Sequence, residues 1–150
     1  MKKKDIPRGI RNFNPLNIER GRYHWQGQRV DQSDPRFLQF TTMEWGIRAG
    51  FRILRTYWYK HRLRTLRQII NRWCPPTEKG NLTEQYINFV ARKVDILPDE
   101  KLPAPDKGSV LWEGIVNKMI LMECGQWIDY GTISRAWDLA FPNSRAIFSQ

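Results

Sequence analysis

Long apolar runs are missing from this chain of 150 residues. The longest spans only a few residues, which excludes a transmembrane helix by composition. A basic start, MKKKDIPRGIR, is followed by no apolar stretch, so the expectation is a chain without a secretory signal peptide. Cysteine is scarce: Cys74 and Cys124 are the two present, too few for a disulfide scaffold. With two histidines, His24 and His61, and no CxxC or HExxH spacing, no metal site or cofactor is expected. Acidic residues are in deficit, 15 against 25 Lys and Arg, for a net charge of +10. That imbalance speaks to partners, not to fold: nucleic acid, an anionic membrane or an anionic cell wall would attract it. No internal repeat, low-complexity run or helix-turn-helix glycine turn is present.

What remains is a globular composition of one-domain length, 41% apolar and 27% charged. Residues 1–11 read as a flexible basic arm. Residues 12–41 are rich in turn formers and carry aromatic bursts, which predicts an irregular lobe with a small β-hairpin around 17–40. Apolar spacing then predicts five helices. The first, 43–60, puts Ile47, Phe51, Leu54 and Trp58 on one face and Arg48, Arg52 and Arg55 on another. The second, 63–73, stops at Pro75-Pro76. The third runs over about 83–95 with Thr83 as its cap. The fourth runs over about 110–124, capped by Ser109 and ended by Gly125. The fifth covers about 131–140. The fold class is mainly α: one domain of about five helices with a small irregular or β-hairpin lobe.

The fourth helix carries the chemical signal. Stepping back from Glu123 by helical turns meets Met119, Val116, Ile115 and Trp112, so Glu123 lies on the apolar stripe. It also stands in the last turn, at the negative end of the helix dipole. Both raise a carboxyl pKa, and an acid kept protonated near neutrality is the proton donor that glycosidic cleavage needs. Glu113, in the same helix, reads as an ordinary polar-face residue. Most of the seven tryptophans are expected in the core, while those in the loop lobe, such as Trp25, offer faces to sugars or bases. No acidic residue interrupts the basic run between Glu44 and Glu78, which suits docking on a polyanion.

Over residues 8–76 the order of short motifs is RGIRNFNPLNI, WQGQ, DQSDPRFLQF, EWGIRAGFRILRTY and IINRWCPP. This series resembles a family of small phage and prophage lysozyme-like proteins, which open like RGIRNNNPGNI and end their helix like WAPP. NLTEQYINFVARKVDILPDE resembles that family's next helix, with its Thr-x-x-Tyr-Ile pattern. The likeness covers about residues 8–130. More distantly, NPLNI and WQG resemble the segment that follows the catalytic Glu in flagellar-type N-acetylglucosaminidases. There the Glu-bearing helix comes first; here MILMECGQ, near the other end, resembles it.

The resemblance implies a lysozyme-like domain over 12–150, with its segments circularly permuted. It implies peptidoglycan glycan-strand cleavage by a muramidase, glucosaminidase or lytic transglycosylase, with Glu123 as general acid. Asp34 is the first candidate for a second carboxylate, followed by Asp31 and then by Asp129 and Glu44. Asn14, Asn17, Trp25, Tyr57 and Arg48 would bind the glycan. The protein would be virion-associated or wait in the host cytoplasm, meet other virion proteins, and act at the bacterial cell wall. Phe13 and Leu16 stand where the family has Asn and Gly, Cys74 where it has Ala, and Cys124 beside the Glu. These departures support the alternative: a non-catalytic lysozyme-like virion structural protein, its basic surface meeting nucleic acid or acidic partners.

Overall fold

The computed structural model describes residues 6–77 and 82–147. Seven helices occur among them: α1 (Arg8–Arg11), α2 (Met43–Tyr59), α3 (Leu66–Trp73), α4 (Leu82–Val94), α5 (Ser109–Cys124), α6 (Tyr130–Ala140) and α7 (Ser144–Ile147). Five are longer than a single turn, as the apolar spacing predicts, and the protein is mainly α. The predicted hairpin is reduced to isolated antiparallel bridges, Glu19 with Phe37 and Gln28 with Phe40, so the lobe before α2 is irregular. None of the described helices is long and apolar enough to cross a membrane.

The helix ends follow local chemistry. Thr42 and Thr65 accept the backbone N–H of Trp45 and Gln68, and Gln68 closes a capping box. Asp129 caps α6 through the N–H of Thr132. Gly125 ends α5 in the left-handed region at φ 67°, as predicted. Two predicted caps are corrected. Thr83 lies inside α4 and donates to the Cys74 carbonyl at 2.7 Å; Ser109 is the first residue of α5, and no side chain caps that helix.

Helix α5 is the centre. Trp112, Ile115, Val116, Met119 and Ile120 are fully buried, and α1, α4 and α6 all pack on α5. The partly exposed stripe of α5 runs along Leu111, Gly114, Lys118 and Leu121, and Glu113 lies off it. Glu113 is buried instead and paired with Arg145 of α7 at 3.0 Å, a correction to its sequence reading. The proline-rich connection before α5 is held by three indoles: Trp58, Trp112 and Trp137 donate to the carbonyls of Leu102, Pro103 and Pro105. Trp112 and Trp137 are core, as expected, whereas Trp127 is 64% exposed.

The predicted arm, residues 1–11, falls only partly within the described residues. Residues 1–5 lie outside the described residues, but Arg8–Arg11 form α1, with Gly9 buried. Asp34 ties this turn down. Its oxygens accept from Arg8 Nε and Nη2 at 2.7 and 2.6 Å, from Asn12 at 3.0 Å, and from the backbone N–H of Arg36 and Phe37 at 2.9 Å. Led by the Arg8 pair, these donors hold the Asp34 carboxyl far below its ordinary range. A depressed folded-state pKa gives stability that is fully present above the unfolded value, about 3.9, and is lost only as pH falls from there down through the folded-state value. Asp34→Asn is therefore expected to melt below wild type at neutral pH, with the difference beginning to narrow only below about pH 4 and most of it still present at about pH 3. Thermal melts followed by tryptophan fluorescence check this; a variant that melts with wild type at neutral pH, or a gap that closes already between about pH 7 and 5, would refute it.

Candidate functional site

The NPLNI turn is built to lie on α2. Asn14 is fully buried; its Nδ2 donates to the Ile18 and Leu38 carbonyls at 2.9 Å, and its Oδ1 accepts the Ile18 N–H at 3.0 Å. Leu16 is buried against Gly50. The residues carrying positive φ are Phe13 at 50° and Asn17 at 54°. Leu16 thus replaces glycine as a hydrophobic anchor without needing its backbone freedom. Gly46 lets the Phe13 carbonyl sit directly on the α2 backbone.

This turn presents Asn17 to Glu123. Asn17 Nδ2 lies 3.3 Å from Glu123 Oε1 and 3.2 Å from the Glu123 carbonyl, a contact across 106 residues. From α3, Trp73 Nε1 donates to the other carboxyl oxygen at 3.3 Å. From α4, the buried Tyr86 hydroxyl lies 3.4 Å from the Met119 carbonyl and within hydrogen-bonding reach of the Glu123 carboxyl. Burial pushes the Glu123 carboxyl up, and the bonds from Tyr86, Asn17 and Trp73 offset part of that rise. Burial, reinforced by Glu123, also pushes the Tyr86 phenol well above its ordinary range, so it stays a neutral donor. Beside Glu123, burial likewise raises the Cys124 thiol.

Glu123 opens onto a cavity of about 470 Å³. Leu16, Asn17, Ile18 and Glu19 form one wall with Arg36 and Phe37; Ile53, Tyr57, Trp73, Cys74 and Pro75 form the other. Such a groove, apolar and aromatic with few convergent polar groups, is where a ligand is held. Tyr57 meets Trp73 edge to face at 6.3 Å and lies under Arg72 at 5.2 Å.

The structure therefore joins Glu123, Asn17 and Tyr57 in one groove and places the other candidates elsewhere. Asn14 supports the turn from inside. Asp34 is saturated by its five donors, which leaves its carboxylate no role as base or nucleophile. Asp129 caps α6, and Glu44 pairs with Arg135 at 3.1 Å. Trp25 and Arg48 do not line this groove; Trp25 packs against Tyr23, and Arg48 lies over Trp45. Three residues at or behind the groove escape sequence reasoning. Trp73 and Tyr86 sit on apolar helical faces and look like core, although the Thr-x-x-Tyr-Ile pattern marks Tyr86. Glu19, the other carboxylate of the lining, follows the NPLNI motif directly and pairs with Arg36 at 2.8 Å. Among the described residues, no group of three or more His, Cys, Asp or Glu could hold a metal ion.

Comparison with known proteins places the chain in a family of phage proteins. It belongs with "Protein P5" of Pseudoalteromonas phage PM2, to which it is 45% identical over 124 residues, 81% of this chain and 73% of that protein. No family model matches the chain.

Proposed function

We propose that this protein cleaves the glycan strands of peptidoglycan, with Glu123 as the general acid. One observation carries the reading: a half-buried carboxyl, raised by burial and oriented by neutral donors, faces a groove beside the NPLNI turn. In that setting Glu123 Oε gives its proton to the leaving glycosidic oxygen as the C–O bond breaks. Asn17 and Trp73 then stabilise the carboxylate left behind, while Tyr57 offers an aromatic wall to the sugars.

With Asp34 committed to Arg8, the reading rests on one acid. Substrate assistance, in which the sugar's own N-acetyl group serves in place of a second carboxylate, fits that arrangement. The Asn17–Glu123 contact also supports a lysozyme-like fold in permuted order, with the acid-bearing helix after the turn it normally precedes. Virion association, contact with other virion proteins and action at the cell wall belong to the same reading, and kinship with a phage protein supports them. The test is clearing of purified peptidoglycan by wild type and Glu123→Gln, with product ends read by mass spectrometry. An anhydro end would identify a lytic transglycosylase and a reducing end a hydrolase. A folded wild type that binds peptidoglycan without releasing product would leave the non-catalytic reading instead.

A further inference from the structure

A second feature lies outside the Glu123 groove and is independent of the glycan reading. Residues 20–25 read Arg-Gly-Arg-Tyr-His-Trp, an irregular segment in which residues 20 through 24 are exposed and Trp25 is half-buried. Tyr23 is 66% exposed and packs against Trp25 with the rings tilted by 54° and their centroids 4.5 Å apart. Trp25 in turn packs on the core, so the pair is an anchored platform. No acidic residue occurs between Glu19 and Asp31.

The first basic turns of α2 stand beside this platform. Arg48 lies over the Trp45 ring at 5.9 Å, close enough to Tyr23 and Arg52 to feel both electrostatically. Burial and the Arg52 charge lower its pKa; Tyr23 offsets part of this, and among the described residues no carboxylate does. Its Nε is buried and meets no acceptor among the described residues. A half-desolvated guanidinium beside a second one costs stability, and a bound anion would offset that cost. An exposed tyrosine and a half-buried tryptophan interleaved with arginines, next to a guanidinium that has no carboxylate partner among the described residues, match a phosphodiester strand whose bases are free to stack.

We propose that Tyr23, Trp25, Arg22 and Arg48 form a binding site for single-stranded nucleic acid, with bases stacking on the Tyr23–Trp25 pair and phosphates meeting the two arginines. A duplex keeps its base faces internal, so it engages the arginines alone. An acidic polysaccharide likewise offers charge without a base to stack.

The test is fluorescence anisotropy of the full chain with labelled oligothymidylate of about 16 nucleotides, the upper end of single-strand site sizes. A duplex of equal length and heparin serve as competitors. Tyr23→Ala is expected to weaken oligothymidylate about tenfold and to leave duplex binding unchanged. Arg48→Gln is expected to weaken both and to lower the salt dependence by about one phosphate contact. Arg92→Gln, on α4, reports the effect of general charge loss, and Glu123→Gln should bind the oligonucleotide as wild type does. Tyr23 is exposed, so its variant remains informative should Arg48→Gln fold poorly. Wild-type affinity in Tyr23→Ala, equal losses in Arg48→Gln and Arg92→Gln, or heparin displacing the strand as well in Tyr23→Ala as in wild type would each overturn the proposal.

Discussion

Glu123→Gln is expected to melt no lower than wild type at neutral pH while losing at least about a hundredfold in glycan cleavage. The rate estimate is the usual contribution of a positioned general acid, about 10²–10⁴. Glutamine keeps the shape of the side chain and an oxygen for Asn17 or Trp73, but it has no proton to give. The stability half follows from the raised carboxyl pKa. For a carboxyl pushed up in the folded state, protonation stabilises the fold. That gain is complete below the unfolded chain's carboxyl pKa and is lost as pH rises through the folded-state value. At neutral pH the wild type therefore carries the cost of a half-buried charge, and the glutamine variant does not. Melts across pH should show wild type losing stability above the folded pKa while the variant stays flat. A variant that melts lower at neutral pH would show that the Asn17 and Trp73 bonds outweigh burial and that the folded carboxyl is lowered, not raised. Undiminished cleavage by the variant would remove Glu123 as the acid.

Gly46→Ala is expected to be the most damaging small change outside the acid, costing about 3 kcal/mol, the upper part of the range for overpacking. An added Cβ would fall inside the radius of the Phe13 carbonyl oxygen, and that oxygen is backbone. The only relief is to move the turn, which Asn14 holds rigidly through three buried hydrogen bonds. For a domain of this size the cost corresponds to a drop in Tm of roughly 6–12 °C. Displacing the turn also withdraws Asn17 from Glu123, so cleavage should fall further than the loss of folded protein explains. Gly50→Ala is the control: its Cβ meets the mobile end of Leu16, which can turn aside. Equal melts for the two alanine variants would refute the backbone argument.

The long helices were legible because their burial is one-sided enough to leave a period. The same period located Glu123, whose stripe of Trp112, Val116 and Met119 is fully buried. Asn17 was legible only through the NPLNI motif, since no local rule says that a turn will meet a residue 106 positions away. Periodicity failed at Glu113: helical spacing in α5 could not show that this residue is enclosed and paired with Arg145. It also could not separate Trp73 and Tyr86 from ordinary core aromatics, because a side chain supporting a carboxyl is buried as a packing residue is. Asp34 was misread for a related reason. An acidic residue in a loop looks available until Arg8, 26 residues earlier, is found to hold it.

The distance in sequence between Asn17 and Glu123 also sets a clock. A ribosome adding about 5–20 residues per second releases the turn roughly 5–20 s before the acid that it orients. For that interval the NPLNI turn and the α2 surface beneath it exist without their partner, and the groove has one wall. Assembly of the site thus waits on the synthesis of α5. A nascent chain interrupted before α5 holds neither the acid nor the central helix that α1, α4 and α6 enclose.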